Sequence, residues 1–323
     1  QTGGYGGKGP VNERQTGREV GEELVTMKVT GALMRMGLLL LAMSPAHAQV
    51  AQECFSAVNP TSKAKLWATA FYPSDASEKK KYPAFVFVPG GLRFGSKPGE
   101  FEPSAFVRAG FVVGYFDPDG RGESAGSEDW NGKVHQDGLH AVLKLFAGLK
   151  FVNKDNLGVL SYSLGLALAA GALGRYPDDP PVKYFIDMEG PSDRIYITKH
   201  DDPSIRGFDG HTTKDEDWWA EREAVRSIQN IHCAYLRIQH ESDHAQREDK
   251  QHAIDMIDAS TNTKFGGKCQ ALWTRVNGAE NEPNKTYTKE NPPKWLPNRM
   301  GPPSPTDTLQ WVLEMSATGR KAR

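Results

Sequence analysis

The chain has 323 residues, enough for one large α/β domain or two smaller ones. Its 39 basic and 40 acidic residues leave a formal net charge of -1, so no global field recruits nucleic acid or an anionic membrane surface. A hydrophobic share of 38%, with 10% aromatics, suits a packed core, and no internal repeat is visible.

Residues 1–26 are Gly-rich and polar, without apolar periodicity, and read as disordered or as sequence upstream of a start at Met27. From Met27 the pattern changes. Lys28 and Arg35 supply positive charge, Met36 to Met43 is apolar, and Ala46-His47-Ala48 is a small-residue cleavage site. Residues 27–48 therefore read as a secretory signal peptide, too short and wrongly flanked for a stable membrane span. The expected mature chain, 49–323, is secreted or periplasmic.

The mature part alternates strand and helix signals. Leu66–Tyr72 and Ala84–Val88 read as strands joined by the charged turn Ser74–Lys81, and Pro89-Gly90-Gly91 follows the second. A helix is expected around Pro103–Ala109 and a strand at Phe111–Phe116. That strand empties into Asp117-Pro118-Asp119-Gly120-Arg121-Gly122-Glu123-Ser124, a loop dense in turn residues. Val134–Leu149 carries Leu139, Val142, Leu143, Leu145 and Phe146 at helical spacing.

Next comes the most informative stretch. The apolar run Leu157–Leu160 reads as a buried strand, and Ser161-Tyr162-Ser163-Leu164-Gly165 reads as a turn. A small-residue helix then stops at Pro177. A serine at a sharp strand-to-helix turn is a nucleophile elbow, in which flanking residues must be small; Ser161 stands where glycine is usual. An ordinary helix N-cap serine is the competing reading.

A strand at Val182–Ile186 is followed by residues 190–230, a polar stretch that breaks the rhythm. It contains the loop Asp201–Thr213 and a helix-like segment with Trp218 and Trp219. Its position suits a lid over the carboxyl ends of the strands, with at least one tryptophan free to touch the cleft; an ordinary surface helix anchored by one tryptophan is the competing reading. The pattern resumes with a strand at Ala234–Gln239, a helix around Ala245–Ser260 and a strand at Ala271–Val276. A last helix follows Ser304-Pro305. Alternating strands and helices with non-alternating apolar strands predict an α/β fold, a mostly parallel central sheet with helices on both faces. Of the three cysteines, Cys54, Cys233 and Cys269, the last two precede predicted neighbouring strands. A disulfide is therefore expected, with Cys54 competing for either partner.

Over Leu66 to the C-terminus the chain resembles the α/β-hydrolases, in the style of the dienelactone-hydrolase and prolyl-oligopeptidase-like branches. The resemblance rests on Val88-Pro89-Gly90-Gly91, the Asp117–Ser124 loop, the Ser161–Gly165 elbow and Glu241-Ser242-Asp243 after a late strand. It implies a serine hydrolase that cleaves an ester or amide bond of a small-molecule or peptide acyl substrate, which the signal-peptide pattern would export. Ser163 would be the nucleophile, the backbone N–H groups of Gly91 and Leu164 the oxyanion donors, and Asp243 the acid. Asp187 and Glu189 form a second possible acid position, or a loop that pins the lid.

The base is the open question. The resemblance places it in the loop after the last strand, where Asn281 stands, and an amide has no basic nitrogen. His240, at the end of the strand before Asp243, is the best-placed replacement. His135, His244, His200 and His211 are the others. The alternative is a non-catalytic binding protein that keeps the pocket. Carboxylate–metal chemistry through Asp117, Asp119 and Glu123, or through His240, Asp243 and His244, lacks an established ligand spacing, and Arg121 sits inside the first set. Asp117–Arg121 reads instead as a self-paired structural loop. No phosphate-cradling glycine motif indicates a nucleotide cofactor, so no cofactor is expected, and no basic stripe with aromatics indicates nucleic acid.

Overall fold

A computed structural model describes residues 49–91, 95, 101–202, 208–261, 271–278, 281–298 and 305–318. The expected leader segments 1–26 and 27–48, part of the 201–213 loop, and Cys269 lie outside the described residues.

Among the described residues eight strands form one sheet: β1 (Val50–Val58), β2 (Lys65–Pro73), β3 (Tyr82–Val88), β4 (Val112–Phe116), β5 (Val152–Tyr162), β6 (Tyr184–Met188), β7 (Ala234–Ile238) and β8 (Thr274–Val276). Their spatial order is β1-β2-β4-β3-β5-β6-β7-β8. β2 pairs antiparallel with both β1 and β4, and every other pairing is parallel.

The continuous apolar runs have a simple cause: both faces of the sheet are buried. Along β3, Ala84, Val86 and Val88 face one core while Phe85 and Phe87 face the other. The first core is covered by α2 (Lys133–Gly148), α3 (Gly165–Arg175) and α7 (Gln251–Thr261), through residues such as Leu139, Phe146, Leu166 and Met256. The second is covered by α1 (Ser104–Arg108) and α8 (Pro305–Thr318), through Phe106, Val107, Val312 and Met315. Between β6 and β7, the described residues of 190–230 include three short helices, α4 (Arg194–Ile197), α5 (Glu216–Ala220) and α6 (Ala224–Ser227), and a 3-10 turn at Ile228–Asn230.

β1 has no counterpart in the sequence-based reading. It is an edge strand with only Ala57 buried, so Gln52, Glu53 and Ser56 show none of the apolar alternation that marks a half-buried strand. The expected disulfide involves Cys269, which lies outside the described residues; Cys54 and Cys233 are both free thiols. Cys54 lies in β1 at one edge of the sheet, and Cys233 immediately precedes β7 near the other, so those two cannot meet. Burial in the apolar core pushes the Cys233 thiol up to about 12.

The sheet also fixes where a site can form. β4 lies on one side of β3 and β5 on the other, so the chain reverses its winding at β3 and opens a crevice at the strand ends there. Val88 pairs with Ser161, which sets the Gly90-Gly91 turn beside the elbow. The start of α3 packs on that turn. A Cβ built on Gly165 would lie 2.6 Å from the Val88 carbonyl oxygen and 2.5 Å from that of Pro89. Backbone cannot swing aside as a side chain can. Gly165→Ala is therefore expected to lower stability by about 1–3 kcal/mol, measurable by urea unfolding.

Candidate active site

Three turns at the carboxyl ends of adjacent strands converge. The first leaves β5. Ser163 has φ of +52°, a left-handed conformation that is costly for a residue with a Cβ and is held by the surrounding structure. Its N–H donates to the Met188 carbonyl (2.8 Å), and its own carbonyl accepts from Leu166 (3.0 Å) as α3 begins. The strained turn lifts the Ser163 hydroxyl out of the sheet.

The second turn leaves β6. Glu189 also has positive φ, +55°, and its N–H donates to the Ile238 carbonyl (3.1 Å). The third leaves β7 and carries residues 240–247, closed by paired backbone bonds between Asp243 and Arg247. On it, His244 Nε2 lies 2.8 Å from Ser163 Oγ, while Nδ1 lies 2.8 Å from Glu189 Oε2. An ionised carboxylate only accepts, so Nδ1 carries the proton and Nε2 is left to accept from the serine hydroxyl. Serine, histidine and glutamate thus form one continuous hydrogen-bonded chain.

Electrostatics keep the glutamate ionised. Burial works against its charge, but hydrogen bonds from His240 and His244 outweigh it and hold the carboxyl down at about 2. Asp243 is held below the usual carboxylate range as well; burial is offset by His252, Gln239 and the Gln246 N–H. The Tyr162 ring lies 4.9 Å from the His244 ring at 28°, stacked, so the residue preceding the serine also braces the imidazole.

Beneath the three turns runs a buried polar network. Asp187 accepts from Tyr235 Oη (2.9 Å) and Arg237 Nη1 (2.5 Å). Arg237 also donates to the Gly190 carbonyl and to Gln239 Oε1, and Gln239 Nε2 donates to Asp243 Oδ2 (2.9 Å). Asp243 Oδ1 caps the N–H groups of Ala245 and Gln246 at 2.6 and 2.7 Å. The turn bearing Glu189 and the turn bearing His244 are therefore tied to one buried scaffold, in which the Arg237 and Asp187 charges pair with each other.

The structure brings His244, rather than His240, to Ser163, and Glu189, rather than Asp243, to the histidine. Asp243 Oδ1 is 3.6 Å from His244 Nδ1, against 2.8 Å for Glu189, because the two backbone N–H groups it caps turn it toward its own loop. His240 instead bonds Glu189 Oε1 at 2.7 Å. Asn281 is a structural residue: its amide donates to the Val276 and Lys294 carbonyls and accepts from the Lys294 N–H.

His135 lies buried under the loop after β4, bonded to the Asp119 carbonyl and the Asn131 N–H. Burial and the Arg121 charge lower its pKa to about 4, which keeps it neutral. His211 stacks on Trp218 and His200 packs against Tyr196. In the Asp117–Ser124 loop, Arg121 pairs with Glu128 rather than with the loop's own aspartates, Asp117 accepts from the Glu123 N–H, and Asp119 bonds Asn59 and Ser62.

Around the serine, Leu164 packs on an aromatic cluster of Trp130, Phe208, Trp218 and Trp219. Trp219 is buried and donates Nε1 to the Thr212 carbonyl (2.7 Å), whereas Trp218 is half-buried, with the Arg222 guanidinium 3.9 Å from its ring centre. Gly91 follows Gly90, whose built Cβ would lie 2.8 Å from Ser163 Cβ, so the Gly90-Gly91 turn reaches the nucleophile. Among the described residues, Glu189, Asp243 and His244 bring three donor atoms of metal-ligand type within 4.8 Å of one another. Two of the three are already engaged with each other in the chain described above.

No protein-family model and no curated protein matches the chain. Solved structures do. The chain is similar to acetyl xylan esterase 1 from Thermoanaerobacterium, with a TM-score of 0.56 at 12% identity over 83% of this chain and 88% of that one. It is also similar to a puromycin-hydrolyzing peptidase of Mycobacterium tuberculosis, with a TM-score of 0.57, 16% identity and 72% of this chain covered. Prolyl oligopeptidase B from Galerina marginata aligns with a TM-score of 0.55, 14% identity and 83% coverage. The chain spans 35% and 37% of the length of those two peptidases. With its sheet order and elbow, this places the chain in the α/β-hydrolase fold.

Proposed function

We propose that the chain is a serine hydrolase acting on an ester or amide bond through an acyl-enzyme on Ser163, with His244 as general base and Glu189 as the orienting carboxylate. One observation carries the reading: the unbroken Ser163–His244–Glu189 hydrogen-bond chain on a left-handed serine turn. Nε2 takes the hydroxyl proton as Oγ attacks the acyl carbon, and Glu189 stabilises the imidazolium that forms. The same proton then passes to the leaving oxygen or nitrogen. Water, deprotonated by His244, releases the acid and restores the serine. The Leu164 and Gly91 N–H groups serve as oxyanion donors at the developing negative charge.

The prolyl oligopeptidase and esterase likenesses support the prolyl-oligopeptidase-like branch, and a small-molecule or peptide acyl substrate follows from the same chemistry. The segment 190–230 would act as the lid, with Trp218 and the neighbouring aromatics shaping the acyl side of the cleft. The leader pattern at 27–48 supports export of the mature chain. Among the described residues no helix is long and apolar enough to cross a membrane.

The test is turnover of a small activated acetate ester by the full chain. Wild type is expected to show a burst and an acetyl adduct on Ser163 by peptide mass. Ser163→Ala is expected to show neither. Equal turnover by the two would contradict the reading.

A further inference from the structure

We propose that His240 is a positioning residue for this reaction, a second histidine that shares Glu189 with His244 and fixes how strongly that carboxylate supports the base. The inference rests on the triad reading above and adds a residue to it.

The carboxylate is held symmetrically. Oε1 receives the His240 ring at Nδ1 (2.7 Å) and the His240 backbone N–H (3.3 Å). Oε2 receives the His244 ring at Nδ1 (2.8 Å) and the His244 backbone N–H (3.5 Å). With both oxygens tied, the carboxylate cannot rotate about its terminal bond, and the Oε2 lone pair stays aimed at His244.

His240 is itself fixed on both sides: the Leu296 N–H donates to the Gln239 carbonyl (3.0 Å), and the Glu241 N–H donates to the Leu296 carbonyl (2.8 Å). Its ring is buried, so its orientation is set before substrate arrives. The titratable groups around the pair are Glu189 from β6, Asp243 and His244 from the same turn, Tyr162 from β5, and Asp307 and Glu314 of α8, which line with His240 a cavity of about 550 Å³.

The chemical consequence is a division of hydrogen-bonding strength. A carboxylate that accepts from two histidines is a weaker acceptor for each than one that accepts from a single ring. His240 therefore restrains the basicity that Glu189 confers on His244 while keeping the geometry rigid. Without it, Glu189 loses its anchor but stabilises the imidazolium more strongly. Turnover falls, and the neutral, active form of His244 is reached at higher pH.

The test compares His240→Ala and His240→Asn in the full chain on a small activated acetate ester, with kcat and KM measured across pH. The alanine variant is expected to lose kcat on the order of 10- to 100-fold, the scale at which outer partners of a working histidine act, with KM little changed. Its acid limb in kcat/KM should move up by about half to one pH unit. Asparagine, whose amide N–H can occupy the place of Nδ1–H, should recover much of the turnover and return the limb.

An alanine variant with unchanged kcat and an unmoved limb overturns the inference. Equal losses in both variants with an unmoved limb also overturn it, because that is what a purely structural residue would give. Absence of Ser163-dependent turnover in wild type is a separate result that removes the triad reading itself.

Discussion

Replacing His244 with alanine is expected to lower kcat on an activated ester about a million-fold, as far as Ser163→Ala does, because the two side chains act as one unit. The reason is the 2.8 Å bond from Nε2 to Oγ. Without it, no other base among the described residues is hydrogen-bonded to the hydroxyl, and a serine hydroxyl at neutral pH is a poor nucleophile. The double variant should be no slower than either single one. Stopped-flow and long-time assays of the three variants check this; a His244→Ala enzyme within tenfold of wild type would mean another base serves.

Glu189→Gln is the second large effect. Glutamine keeps the size but presents either an N–H or a neutral oxygen to His244 Nδ1, so the tautomer is no longer fixed and the imidazolium loses its counter-charge. A fall in kcat on the order of ten-thousand-fold is expected. The same substitution should alter acid stability.

Glu189 titrates at about 2 when folded, against an ordinary 4.5. A group whose folded pKa is depressed contributes stability above its unfolded pKa and loses it as pH falls through the folded value. The contribution, about 3 kcal/mol at 1.36 kcal/mol per tenfold change in acidity, is thus complete at pH 7 and gone near pH 2. Urea unfolding of wild type and Glu189→Gln should differ most at neutral pH and converge as pH falls from about 4.5 to about 2. A gap that is constant with pH would show that the carboxylate's ionisation contributes nothing.

The fold was legible because its signals are local. Leu157–Leu160 announces a strand buried on both faces, and the spacing of Leu139, Val142, Leu143 and Phe146 announces the helix face that meets the same core. Boundaries shifted where local signals thin out. β8 begins at Thr274 rather than Ala271, and the helix after β7 begins at Gln251 rather than Ala245 because Asp243 caps a separate turn first.

The elbow serine was also legible, since the tight turn constrains its immediate neighbours. The rest of the hydrogen-bond chain was legible only among competing candidates, Glu189 as a second acid position beside Asp243 and His244 as one of several histidines beside His240. Glu189 and His244 are 55 positions apart in sequence, and only the pairing of β6 with β7 brings their turns together. Asp243 lies where the resemblance expects the acid but does not orient the histidine. It sits beside the imidazole, yet its oxygens are occupied by Ala245, Gln246 and Gln239. A histidine missing from the loop after β8 looked like a lost base, when the turn after β7 carries one already aimed at the serine.

The most direct test of the central claim is the rate of fluorophosphonate labelling at Ser163, read by intact mass in wild type and in the Ser163→Ala, His244→Ala and His240→Ala variants. The proposed chain of residues predicts single labelling in wild type, none without Ser163, near-abolition without His244 and slower but complete labelling without His240. Wild-type labelling in His244→Ala, with loss in His240→Ala, would contradict it and move the base to His240.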